Sequence, residues 1–284
     1  MSLALVVSFM IAEVAVAVVS HSVALFADAG HMLTDGAALA AAIVAARLAA
    51  RPAHGVWTYG LKRAEILAAA GNGIALVVVA ALVSFGAVAR LIHPVKVAGT
   101  DMLAVALAGV VVNLLATSIL ARANRTSLNV EGAFRHVATD LAAFIATAAA
   151  AVAIIVTGFR RADPIASLFV VALLLVAAYG LLRESGRVLL EAAPANVALD
   201  EVRQHMLGVP HVAEVHDLHV WTLTSNLPAL SAHVVVEECC FAENHAPRVL
   251  DELQACLVGH FDVEHSTFQL EDAGHLDHES GAHP

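Results

Sequence analysis

Six stretches of the sequence, at about 2–20, 24–49, 64–92, 100–122, 131–158 and 164–183, are apolar over close to twenty residues or more. A helix needs about 20 mostly apolar residues to cross the hydrocarbon core of a bilayer. Within lipid, each backbone amide must also find its partner inside the protein, which leaves helices as the natural form for such runs. The chain therefore reads as an α-helical membrane protein with six transmembrane helices, and the short connections favour a compact bundle. Composition agrees: 60% of the 284 residues are hydrophobic and 14% charged, against about 25% charged in an ordinary soluble domain. Such hydrophobicity excludes disorder, and three cysteines are too few for a disulfide scaffold. The first stretch has no basic lead-in and is interrupted by Glu13, so it reads as a plain first helix rather than a cleaved leader.

Charge is divided unevenly along the chain. Of 15 Lys and Arg, only Arg203 and Arg248 lie beyond residue 195, whereas residues 196–284 hold 15 Asp and Glu and 11 of the 16 histidines. With the amino terminus in the cytoplasm, the connections after the second, fourth and sixth spans carry nine basic residues and the opposite connections four. That bias satisfies the positive-inside rule and predicts that both termini are cytoplasmic. The net charge of −10 argues against a nucleic-acid partner.

After Pro194 the pattern changes. Residues 199–207 suit a short helix, and 212–223 (VAEVHDLHVWTL) alternate as a half-buried strand does. Leu227 and Pro228 are placed in a turn, 229–237 in a second strand, 244–260 in a helix and 264–271 in a last strand. This αββαβ order predicts a small α+β layer with its helices on one face. The expected domains are a transmembrane domain over 1–190, a cytoplasmic domain over 195–272 and a disordered, histidine-containing tail over 273–284. Cys239, Cys240 and Cys256 lack metal-binding spacing and are expected to be ordinary reduced thiols.

The second span contains His31-Met-Leu-Thr-Asp35 and the fifth His136-Val-Ala-Thr-Asp140, so one pattern, HxxTD, occurs twice. Spacing of i,i+4 puts each His and Asp on one helical face. Ionisable groups inside a span are costly and usually face a bundle interior or a cavity. Two such faces turned together offer two imidazole nitrogens and two carboxylates, an N/O set that suits tetrahedral zinc. His–Asp bonds that merely glue helices are the plainer alternative, which duplication of the motif disfavours. A metal at such a site competes with protons, because it needs neutral imidazole and ionised carboxylate. Exchange of metal for protons at a site open alternately to each side would be antiport. Asn72 and Asn113 are expected to hydrogen-bond between helices. Two other classes use a metal within the membrane: an intramembrane metal-dependent hydrolase, for which no HExxH is present, and a membrane-bound metal sensor.

Longer motifs carry a family resemblance. Ala27-Asp-Ala-Gly-His-Met-Leu-Thr-Asp35 and Phe134-Arg-His-Val-Ala-Thr-Asp140 resemble the second-helix and fifth-helix signatures of the cation diffusion facilitators. Ala162-Asp-Pro-Ile-Ala-Ser167, Leu182-Arg-Glu-Ser185 and Val188-Leu-Leu-Glu-Ala-Ala-Pro194 resemble the sixth helix and its exit. Val215-His-Asp-Leu-His-Val-Trp-Thr-Leu-Thr224 and Leu230-Ser-Ala-His-Val234 resemble the cytoplasmic domain. The likeness is strongest to the bacterial zinc, cadmium and cobalt efflux branch.

This resemblance implies six spans, a ferredoxin-like cytoplasmic domain and a homodimer formed through that domain in the inner (plasma) membrane. It also implies divalent metal efflux, with protons as the counter-ion. Carried over residue by residue, the transport site is His31, Asp35, His136 and Asp140, with Zn2+ as the first expectation and cadmium and cobalt left open. His216, His233, His265 and Glu271 match zinc-binding positions of the relatives' cytoplasmic domain, where the metal would regulate or stabilise. His219, three residues after His216, is expected on the opposite face of its strand. Arg63 and Glu191 match opposite charges that lock the bundle in relatives. Trp57 and Leu61 stand where some relatives carry loop histidines, so a metal site in that loop is not expected.

Overall fold

A computed structural model describes residues 19, 21–122, 128–224, 227–242, 245–261, 263 and 265–275. The side chains of residues 28, 29, 32, 35, 39, 116, 119–122, 128–136 and 242 lie outside that description. The first expected span, at 2–20, and most of the tail therefore fall outside the described residues.

Five long helices follow: α1 (Val23–Ala49), α2 (Ala64–Ile92), α3 (Gly99–Arg122), α4 (Leu128–Thr157) and α5 (Ala162–Leu189). They correspond to the second to sixth apolar stretches. Three described segments, Ala64–Ile92, Val137–Thr157 and Ala162–Leu189, are long and apolar enough to cross a membrane. The chain divides into two compact units, one of residues 1–43 and 69–182, the other of 44–68 and 183–284.

In the first unit, small side chains let helices approach closely, as in membrane bundles. Ala27, Leu76, Ala80, Ala143, Val170 and Leu174 form one buried cluster, and Ala24, Leu25, Met102, Ala151 and Ala166 another. A Cβ at Gly109 of α3 would lie 2.3 Å from the ring of Phe144 on α4, so only glycine admits that contact. Phe85, Val156 and Val176 are more than 70% exposed, an outer surface suited to lipid. Asp163, fully buried in the first turn of α5, caps a different helix. Its carboxylate accepts from Ser22 Oγ and from the backbone N–H groups of Val23 (3.0 Å) and Ala24 (3.2 Å) at the start of α1. These donors have no partner within their own helix. Asn113 departs from expectation: its amide donates to Gly109 O of its own helix at 3.0 Å. Asn72 Oδ1 is buried without a hydrogen-bond partner among the described residues.

In the second unit, α6 (Leu199–Leu207) precedes β1 (Val212–Thr224) and β2 (Leu227–Val236). The short α7 (Cys239–Ala242), α8 (Ala246–Phe261) and β3 (His265–Glu271) follow. The sheet order is β1-β2-β3, with β1 and β2 antiparallel and β2 and β3 parallel. Val202 and Met206 of α6 and Leu253 and Leu257 of α8 pack with Val215, Val220, Leu230 and Val234 in one core. This is the expected α+β layer. One boundary differs: Leu227 and Pro228 open β2 instead of standing in the turn, with Pro228 opposite Thr222. Proline is tolerated there because a strand's first residues need not donate to the ladder.

Candidate metal centres

The i,i+4 spacing puts His31 and Asp35 one turn apart on α1, and His136 and Asp140 one turn apart on α4. His31 is buried, and its Nε2 stands 3.3 Å from Asp140 Oδ1 on the other helix. Thr34 Oγ1 donates to His31 O at 2.6 Å within α1. The side chains of Asp35 and His136 lie outside the described residues. An imidazole nitrogen and a carboxylate oxygen at this distance are donors of the kinds a divalent cation takes, in competition with protons.

The sheet builds a second constellation by register. His216 of β1 lies directly opposite His233 of β2, and β3 sets Gln269 beside His233 and Glu271 beside Val235. Direct and diagonal neighbours on one face lie within reach of long side chains. His233 Nδ1 is 2.8 Å from Glu271 Oε1, and His216 Nε2 is 3.2 Å from Glu271 Oε2. The two rings stand 5.2 Å apart at 72°. Gln269 Nε2 donates to Glu271 Oε1 at 2.8 Å and fixes the carboxylate. His216 and Glu271 are each 4% exposed. One imidazole nitrogen from each histidine and one carboxylate oxygen come within 4.8 Å of one another, an arrangement that fits a three-ligand metal site.

His265 does not join this group. It shares a sheet face with Glu271 but stands six residues earlier, opposite Ala229, about 20 Å away along the strand. Its ring instead meets Tyr59, with the phenol oxygen 3.3 Å from Nε2. His219 also departs from expectation. The register runs His216 to His233 and then His219 to Ser231, three residues against two. This β-bulge, with Asp217 at a left-handed φ of 48°, returns His219 to the face of His216. Asp217 then bridges neighbours, its Oδ1 lying 3.1 Å from His219 Nε2 and its Oδ2 3.9 Å from His233 Nε2. The alternation pattern hid Asp217, because nothing local marks a bulge there.

Beyond these groups, Arg63 donates to Glu191 Oε1 at 2.8 Å across a partly exposed surface. The pair borders a cleft of about 930 Å³ that also contains Trp57, Tyr59, His219 and Trp221. The three thiols are free. Loss of solvation pushes the Cys239 thiol above its ordinary value, with Cys240 adding to it, and burial does the same to Cys256. A hydrogen bond from His211 holds the Glu237 carboxyl below its ordinary range, against a smaller opposing effect of burial.

The family model described as cation efflux transmembrane domain matches residues 1–190, and that of the cation efflux protein, cytoplasmic domain, matches residues 194–273. The "Cadmium, cobalt and zinc/H(+)-K(+) antiporter" of Bacillus subtilis (strain 168) is 36% identical over 279 residues, 96% of this chain and 88% of the relative. "Zinc transporter ZitB" of Escherichia coli (strain K12) is 39% identical over 265 residues, 93% of this chain and 83% of the relative. A solved structure, the metal-bound C-terminal domain of the CzcD transporter from Cupriavidus metallidurans, is 43% identical. It covers 26% of this chain and 99% of its own, with a TM-score of 0.24.

Proposed function

The chain belongs to the cation efflux, or cation diffusion facilitator, family of membrane transporters, and from that premise we propose that it exports Zn2+ in exchange for protons. The family is one of transporters, not enzymes, which removes the hydrolase reading. Zinc comes first because it is named for both curated relatives and suits a His/Asp donor set. Cadmium and cobalt, named for one of them, are alternative cargoes.

One observation carries the reading: the HxxTD motif of α1 and that of α4 bring His31 Nε2 to within 3.3 Å of Asp140 Oδ1 inside an apolar helical unit. We assign the cargo site to His31, Asp35, His136 and Asp140. In the proton-loaded state the pair carries one proton more than a neutral imidazole and a carboxylate; on entry of the cation that proton leaves, and the neutral imidazole of His31 and the carboxylate of Asp140 turn their lone pairs to the metal. On release to the far side, protons return and restore the imidazole–carboxylate contact. Cation and proton thus use the same atoms in turn, which is the chemical requirement of antiport. The "H(+)" in the name of the Bacillus relative accords with this coupling.

In this reading the transmembrane domain spans 1–190 with six helices, both termini lie in the cytoplasm, and the protein sits in the inner (plasma) membrane. Two chains pair through the cytoplasmic domain over 195–272. His216, His233 and Glu271 hold a regulatory cation there and tie the three strands together.

The test is flux in proteoliposomes. Purified protein should move Zn2+ when a pH gradient is imposed, and Asp35→Ala and Asp140→Ala should each stop it while the protein remains folded. Zn2+ flux that persists in both variants rejects the site. Flux indifferent to the gradient rejects the coupling.

A further inference from the structure

The turn after β2 assembles donors that neither proposed site uses. Cys240 N–H donates to Glu237 O at 2.9 Å, so the chain folds back and carries both cysteines alongside Glu237. Glu237 N–H donates to His211 O at 3.0 Å and ties this turn to the residue before β1. His211 holds a left-handed backbone, with φ of 68°, a conformation that costs a non-glycine residue free energy and often marks a constrained site. Its Nδ1 lies 2.7 Å from Glu237 Oε2 and 3.9 Å from Cys239 Sγ. Cys239 Sγ lies 3.7 Å from Glu237 Oε2. One nitrogen of His211 and the sulfurs of Cys239 and Cys240 all fall within 4.8 Å of one another. Tetrahedral zinc, with bonds of about 2.3 Å to sulfur and about 2.0 Å to nitrogen, separates its donors by roughly 3.3–3.8 Å. A small contraction of the sulfurs, and a slight parting of His211 from Glu237, therefore encloses an ion.

We propose that His211, Cys239 and Cys240, with Glu237 as fourth donor, form a binding site for a thiophilic divalent cation, Cd2+ or Zn2+. Binding releases the two thiol protons to solvent, and His211 gives up the Nδ1 proton it directs at Glu237, which leaves a neutral imidazole with its one proton on Nε2 and Nδ1 free to bind the ion. The donors differ in kind from the sheet trio, which has no sulfur. Thiolates favour soft cations, so this site prefers Cd2+ over the sheet trio to a degree that a His/Glu set cannot match. It also closes the gap between the residue before β1 and the residues after β2, at the end of the sheet where α7 begins.

Purified full-length protein in detergent, with Cd2+ as the probe, tests this. Thiolate bound to cadmium absorbs in the near ultraviolet. The band should saturate with one equivalent of Cd2+, fall by about half in Cys239→Ser, and need about 10–100-fold more Cd2+ in His211→Ala. It should survive in His233→Ala and in Cys256→Ser. Because Cys240 is buried and its variants risk misfolding, alkylation supplies a second readout. Bound Cd2+ should slow labelling of Cys239 and leave labelling of Cys256 unchanged. Absence of the band at saturating Cd2+, its persistence in Cys239→Ser, or its loss in Cys256→Ser overturns the site and leaves these thiols as packing residues. None of these outcomes depends on flux, so the transport proposal stands or falls separately.

Discussion

Histidine meets carboxylate in both units, by different geometry and in different surroundings. In the helical unit His31 and Asp140 come from helices α1 and α4, each repeating one motif of spacing four. In the sheet His216, His233 and Glu271 come from three strands, and only the pairing register unites them. The helical pair is a side-chain contact between two helices, and its partners lie in surroundings where a lone charge is costly. The sheet trio is locked by ladder hydrogen bonds and by Gln269 on the carboxylate. A site that must bind and release a cargo suits the first arrangement, and a site that holds an ion while the protein works suits the second.

Substitution of the two carboxylates should separate these roles most widely. Asp140→Ala should lower Zn2+ flux by roughly 100-fold or more, since it removes a donor from the proposed four-ligand set. Glu271→Gln should leave flux within about tenfold of the parent while lowering the affinity of the sheet for zinc by about 10–100-fold. Parallel flux and equilibrium zinc-binding measurements check both. Equal damage to flux from the two variants would erase the distinction.

Asp163 provides a control within the helical unit, for it too is a buried carboxylate but it accepts from Ser22, Val23 and Ala24. Its replacement by Ala strands the first amides of α1 and should cost about 2–4 kcal/mol of stability. Thermal unfolding in detergent should show this loss for Asp163→Ala and a much smaller one for Asp140→Ala. A smaller effect is expected within the sheet face itself. His265→Ala should leave zinc stoichiometry unchanged, whereas His233→Ala should remove one equivalent. Loss of an equivalent in His265→Ala would place a ligand where the register sets it about 20 Å from Glu271.

These contrasts also explain what could be read from the sequence. Apolar runs of helix length and the alternation of 212–223 depend on local periodicity, and the described helices and strands follow them within a few residues. The two HxxTD faces are local in the same sense, but the meeting of His31 with Asp140 is a tertiary contact that no spacing encodes. His219 departs from simple alternation because the bulge at Asp217 shifts the pattern by one residue. The family resemblance groups His265 with Glu271, whereas the register of the last strand sets them about 20 Å apart. The capping by Asp163 and the approach of His211 to Cys239 and Cys240 leave no local signal for a common reason: the partners lie far apart in sequence, at Ser22 and at His211.

Arg63 and Glu191 extend the comparison to a pair in water, where the smallest effects are expected. Their side chains are 37% and 61% exposed, and such a pair contributes about 0–1 kcal/mol. Glu191 has a second property, a left-handed φ of 59° just beyond α5. Its N–H reaches Val188 O, and the N–H of Ala192 reaches Arg187 O, the double closure in which glycine is favoured. A left-handed residue other than glycine costs about 1 kcal/mol. Glu191→Gly therefore loses the pair and relieves the backbone, and the two nearly cancel. Glu191→Ala loses the pair and keeps the strain, so it should be less stable than Glu191→Gly by about 1 kcal/mol. Flux distinguishes a surface contact from a lock. If Glu191→Gly transports as the parent does, the carboxylate is dispensable and the retained glutamate serves neither backbone nor transport. If Glu191→Gly fails, and Arg63→Glu combined with Glu191→Arg restores what either swap alone removes, the pair steers the helix ends during transport with a force out of proportion to its stability.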